Sequence, residues 1–168
     1  MKKCIAAVLL LAMTVALTAC GGRVYDADPK EFTTSGMTIT LTDAFQEITM
    51  KGYTVCFDSS EVAVFGTREN FTTQGGFADI TLENYAAMVY SNNATKSPGD
   101  VTKIDGLTTI EYAFLNEEEN VTYCYFLSMY RGATAFWLVQ FACKEAVYEE
   151  YRPHFIAWAK TVDVGEAV

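Results

Sequence analysis

The chain has one histidine in 168 residues, and its five cysteines include no Cys-x-x-Cys pair. Nothing in it therefore resembles the clustered His and Cys ligands of a zinc site. No Walker loop, HExxH, GxSxG or GxGxxG occurs, so those routes to phosphate binding, metalloprotease or nucleophile-elbow chemistry have no support. Basic residues are scarce, with 12 Lys+Arg against 21 Asp+Glu and a net charge of −9. A surface this acidic repels nucleic acid and anionic lipid alike, since both are negative. Beyond position 20 no apolar run approaches the roughly 20 residues that span a bilayer.

What the chain does have is concentrated at its start. Lys2 and Lys3 form a positive n-region, and residues 5–17 are apolar except for Thr14. That length falls within the ~7–15 residues of a secretory h-region and short of a membrane span. Leu17-Thr18-Ala19 then places small residues before Cys20, and Gly21-Gly22 follow.

These residues resemble the lipobox of bacterial lipoproteins. The resemblance implies cleavage between Ala19 and Cys20, diacylation of the Cys20 sulfur through a thioether, and Cys20 as the mature N-terminus. Two acyl chains anchor a protein stably where one binds only marginally. The alternative is an ordinary signal peptide, or an N-terminal anchor, with an accidental cysteine at its exit. Losing Lys2 and Lys3 lowers Lys+Arg from 12 to 10, so the net charge moves from −9 to −11 over the remaining 149 residues. That length suits one domain with a real core. Gly21 stands where an Asp would retain a lipoprotein at a Gram-negative inner membrane, and the reading leans to a Gram-positive cell.

With Cys4 removed and Cys20 acylated, Cys56, Cys124 and Cys143 remain. Three thiols permit at most one internal disulfide, which export allows without requiring. Small buried apolar thiols are the plainer reading.

Residues 21–35 mix Gly, Pro and polar residues without a period and read as a tether, so the expected division is signal peptide 1–19, tether 20–35 and domain 36–164. Residues 37–41 alternate strictly and read as a strand. Residues 45–49 read as an irregular extended piece that buries Phe45 and Ile48. Residues 53–57 and 62–66 form a hairpin, and 67–76 a loop. Asp79 or Thr81 caps a helix whose Leu82, Tyr85, Ala86 and Val89 share one face, ending near Asn92-Asn93. Residues 101–104 and 107–115 pair across Asp105-Gly106, a good hairpin turn. Residues 121–130 and 134–143 supply two more strands.

In residues 136–143 only Gln140 is polar, so this strand is covered on both faces. A second helix over 144–161 carries Val147, Tyr151, Phe155, Trp158 and Val162 on one stripe, with Pro153 opposite and expected to kink or split it. The expected fold is α+β, an antiparallel sheet of about six to seven strands with helices on both faces. This order of elements resembles the PsbP-like superfamily, which also includes a Ran-binding nuclear import factor and bacterial envelope lipoproteins. The resemblance implies a three-layer fold of binding and assembly modules with no shared catalytic residues, and fold analogy leaves function open.

Four constellations are candidates for chemistry. Glu117-Glu118-Glu119 could attract a cation, but adjacent side chains in a turn do not converge as an alternating Asp loop does, and a solvated turn is the better reading. His154 with Cys143 would be a Cys–His pair lacking an orienting group, in an apolar strand that raises the thiol pKa. Glu111 and Asp105 are the nominal acid pair of an envelope hydrolase. Tyr112, Tyr123, Tyr125, Tyr130, Tyr148, Tyr151, Trp137 and Trp158 are a carbohydrate platform if exposed and core if buried. The sequons at Asn70, Asn93 and Asn120 are accidents in a bacterial protein. If Tyr130 faces Ala135, Cys124 and Cys143 share a face diagonally, roughly 7 Å apart and too far to bridge; a loop two residues longer sets them directly opposite.

The reading that results is non-enzymatic: a lipid-anchored extracytoplasmic binding or assembly protein with no cofactor or metal. Its partner is the membrane through Cys20, together with an envelope protein or small ligand, and not nucleic acid.

Overall fold

A computed structural model describes residues 22–93 and 99–165. The signal, the lipobox and Cys20 lie outside the described residues. The elements run β1 (Pro29–Thr34), β2 (Met37–Thr42), β3 (Gln46–Ile48), β4 (Val55–Asp58), β5 (Val62–Asn70), α1 (Leu82–Asn93), β6 (Thr102–Ile104), β7 (Leu107–Asn116), β8 (Val121–Arg131), β9 (Ala135–Lys144) and α2 (Glu145–Ala159). Seven strands form one antiparallel sheet in the order β3-β4-β5-β9-β8-β7-β6, and β1-β2 is a separate ribbon.

The central strand β9 is buried from Ala135 to Cys143. Its Trp137, Val139 and Phe141 belong to the core under α2, where Tyr151, Phe155 and Trp158 of the helix stripe meet them. Phe136 and Leu138 point the other way and pack with Tyr85 and Ala86 of α1. The helices thus take opposite faces, and the sheet is α+β as its alternation dictates. Gln140 is tolerated in this interior because the Tyr112 hydroxyl donates to its Oε1 at 2.8 Å. Thr81 caps α1 by accepting from the Asn84 amide at 3.2 Å. The Asp105-Gly106 turn has positive φ at both residues, 51° and 87°, as a two-residue hairpin of this kind requires.

Four expectations are corrected. Residues 23–34 are not a free tether: Val24 is 3% exposed, Phe32 is 8% exposed, and β1 pairs with β2 through a tight turn at Ser35-Gly36. Strand 37–41 therefore belongs to a ribbon beside α2 rather than to the main sheet, tied to the C-terminal segment by a Thr38–Asp163 bridge. Of the pair placed in the core, Phe45 is buried at 1% exposure, whereas Ile48 lies on the edge strand β3 at 36%. Strand β5 continues to Asn70, past the expected loop start, because its polar second half pairs with β9 residues Ala135 to Leu138.

Pro153 sits inside α2 without ending it. Pro153 and Glu149, the residue one turn back whose carbonyl loses its N–H partner, are both exposed. Of the two β8–β9 registers weighed, the structure has the one with the longer loop: Tyr130 faces Trp137, and Cys124 faces Cys143. A two-residue shift keeps every side chain on its face, so the layering is unaffected.

Candidate functional site

The segment that begins three residues after Cys20 is fastened to the domain by a compact polar cluster. Arg23 Nη1 donates to Glu61 Oε1 at 2.5 Å, and Nη2 donates to Glu150 Oε2 at 2.9 Å. Glu61 stands in the β4–β5 turn and Glu150 on α2. The Tyr25 hydroxyl donates to the second oxygen of Glu150, and the Tyr151 hydroxyl to the second oxygen of Glu61. Both carboxylates are thereby bridged by Arg23 and each is completed by a tyrosine. The Tyr25 ring stacks on His154 at 4.0 Å and 3°. Between them Val24 is buried, and its carbonyl accepts from the Thr42 hydroxyl at 2.7 Å.

Electrostatics agree with this geometry. Burial pushes the Glu61 pKa up, but the Tyr151 and Arg23 hydrogen bonds outweigh it and hold the carboxyl below its ordinary value. Tyr151 is pushed up by burial and by the Glu61 carboxylate, so it stays a donor. The cluster holds a chain segment in place.

The nominated acid pair is not assembled. Glu111 receives both Arg152 Nε at 2.8 Å and Arg152 Nη2 at 2.7 Å, and the Tyr148 hydroxyl as well. The Arg152 bonds dominate and hold Glu111 below its ordinary pKa, the wrong direction for a general acid. Asp105 lies in the β6–β7 turn beside Lys160 Nζ at 3.2 Å. Six residues of nearly extended chain separate the two carboxylates by roughly 15–20 Å.

In the acidic turn, buried Asn116 accepts from the Glu118 and Glu119 amides at 3.0 and 3.3 Å, and Glu119 accepts from the Tyr123 hydroxyl at 2.8 Å. The turn is thus organised by Asn116, with Glu117 and Glu118 exposed. Among the described residues no three His, Cys, Asp or Glu side chains converge as metal ligands would. His154 makes its ring contacts with Tyr25, Tyr151 and Trp158, while burial pushes the Cys143 thiol up to about 12.

Of the eight aromatics weighed as a platform, Trp137, Tyr151, Tyr123 and Trp158 are buried. Tyr112, Tyr125, Tyr130 and Tyr148 are half-buried. Tyr112 and Tyr125 are nearly parallel, at 4°, but stack on one another at 4.7 Å rather than lying side by side. They continue a small aromatic cluster with Tyr53 and Phe65 on the sheet face beyond α1. The Arg23 cluster was not foreseen from sequence: its partners lie 38 and 127 residues away, and no local pattern marks them.

No family model matches the sequence, and no curated protein does. The fold is shared with a crystal structure from Bacteroides thetaiotaomicron VPI-5482, at TM-score 0.51 and 10% identity over 82% of this chain; the chain spans about half of that protein, 48% of its length. It is also similar to the solution structure of cyanobacterial PsbP (CyanoP) from Synechocystis sp. PCC 6803, at TM-score 0.48 and 14% identity, covering 88% of this chain and 98% of that one. A protein of unknown function from Pseudomonas aeruginosa aligns at TM-score 0.43 and 12% identity, over 78% and 93% of the two chains.

Proposed function

We propose that this chain is a lipid-anchored extracytoplasmic protein of the bacterial envelope, held at the membrane through Cys20, which presents a PsbP-like domain to a protein or small-ligand partner. The observation that carries the reading is the coincidence of n-region, h-region, small residues and cysteine over residues 2–20. The domain supports a binding or assembly role rather than catalysis, because its best candidate acid is locked by Arg152 and Tyr148 and its second candidate lies elsewhere. The acidic balance favours partners other than nucleic acid.

A pull-down from detergent-solubilised envelope tests this, using tagged mature protein with Cys20 intact and a Cys20→Ser form as the anchoring control. A stoichiometric envelope protein retained across washes supports assembly. Turnover in a hydrolase panel that one point mutation abolishes contradicts the non-enzymatic reading.

A further inference from the structure

We infer that one end of the sheet is built to lie against the bilayer, and that the Arg23 cluster fixes this orientation. The inference rests on the proposed lipidation of Cys20 and deepens it by naming the surface that meets the lipid.

Three residues of chain span at most about 11 Å, so Cys20 lies no farther than that from Arg23. Arg23 is bound to Glu61 in the β4–β5 turn and to Glu150 on α2. The β4–β5 turn, the β7–β8 turn and the start of α2 all lie at the same end of the sheet, because Val62 pairs with Cys143 and Tyr123 with Lys144. That end must therefore sit at the headgroups. The opposite end, with the Asp105-Gly106 turn and the β8–β9 turn, is one strand length away: Val62 to Asn70 covers roughly 26 Å at ~3.3 Å per residue.

Charge alone would give the reverse orientation. The near end carries Glu117, Glu118, Glu145 and Glu149 against Lys144, besides Glu61 and Glu150, which share Arg23. Anionic headgroups repel these carboxylates within a Debye length of ~8–10 Å, which is comparable to the tether. A loosely tethered domain would swing this end away. The stacked and hydrogen-bonded Arg23–Tyr25 segment shortens the free link to the residues before Arg23, too few for this end to swing a strand length away, and so directs the far end outward.

The test places a fluorescent unnatural amino acid at Glu118 (near end) or Ala133 (far end) of the acylated protein, on vesicles of phosphatidylcholine doped with a headgroup-quencher lipid. The expected result is several-fold stronger quenching at 118 than at 133. A long Gly-Ser insertion between Gly22 and Arg23, which leaves the cluster intact, should erase the contrast, and Arg23→Ala should reduce it. Equal quenching at both sites in vesicle-bound wild-type protein overturns the orientation while the anchor stands. Mature protein that carries no acyl chain and does not sediment with vesicles overturns both.

Discussion

Cys124 and Cys143 stand directly opposite one another on β8 and β9, on the sheet face that α2 covers. Opposed positions in an antiparallel pair lie about 4.5–5.5 Å apart at Cα, inside the window of roughly 4.4–6.8 Å that a disulfide needs. Cys56 is buried on the other face, with Phe65 and Ala142. Oxidation of the folded protein with oxidised glutathione should therefore join Cys124 to Cys143, two thiols giving one disulfide while the oxidant is reduced. Thiol titration in denaturant should fall from three to one in a Cys20→Ser chain that begins at position 20 and so lacks Cys4. Burial pushes Cys143 up to about 12, so closure should be slow at neutral pH and accelerate as pH rises. A bridge that includes Cys56, or three surviving thiols, contradicts the assigned register.

Acid stability should depend on Glu111. Its carboxyl is held below the ordinary value by Arg152, then by Tyr148, against a burial effect of opposite sign. A depressed folded pKa means that this contribution is present above the unfolded value, 4.5 here, and is lost as pH falls through the folded one. Asp58, pushed up by burial, works in the opposite direction. Glu111→Gln should thus lower the urea midpoint at neutral pH and flatten its decline toward about pH 3. An unchanged acid slope would assign the acid sensitivity to Glu61 and the remaining carboxylates.

Gly66 illustrates a steric demand that a sequence conceals. A Cβ placed there would lie 2.4 Å from Val55 Cγ2 on the neighbouring strand. Gly66→Ala should cost about 1–3 kcal/mol by overpacking. Val55→Ala in the same chain should recover part of that loss, and a double-mutant cycle by denaturant melts should show coupling above ~0.5 kcal/mol. Additive effects would mean that the two strands separate freely.

Position within the layers should set the cost of truncation. Phe155 is fully buried on α2 against Phe141, Tyr151 and Trp158. Phe155→Ala should destabilise by about 3–5 kcal/mol. Leu115, 49% exposed near the end of β7, should tolerate Leu115→Asn within about 0.5 kcal/mol. Chemical denaturation of the two variants side by side measures the difference.

Most of the main sheet was legible because its signals are local. The apolar run of β9, the Asp105-Gly106 turn and the two helical stripes each declare an element from a few neighbouring residues. The start of the domain was not legible. Val24 and Phe32 are the only buried apolar residues between Gly22 and Gly36, set among Arg, Asp, Lys, Glu and Thr, so no period emerges. What fixes that segment is an ion-pair cluster between residues far apart in the chain. Register is similarly non-local. The β8–β9 turn carries no dipeptide that specifies its length, and shifting the pairing by two leaves the hydrophobic pattern unchanged, so only the packed structure selects the match that opposes the two cysteines.

The most direct test of the account is the intact mass of the protein extracted from the membranes of a bacterium expressing the whole chain. The account predicts a polypeptide beginning at Cys20 and heavier by a diacylglyceryl group, with the added mass confined to the N-terminal peptide and lost in Cys20→Ser. A chain that keeps Lys2 and Lys3, or one cleaved elsewhere with an unmodified Cys20, would contradict it.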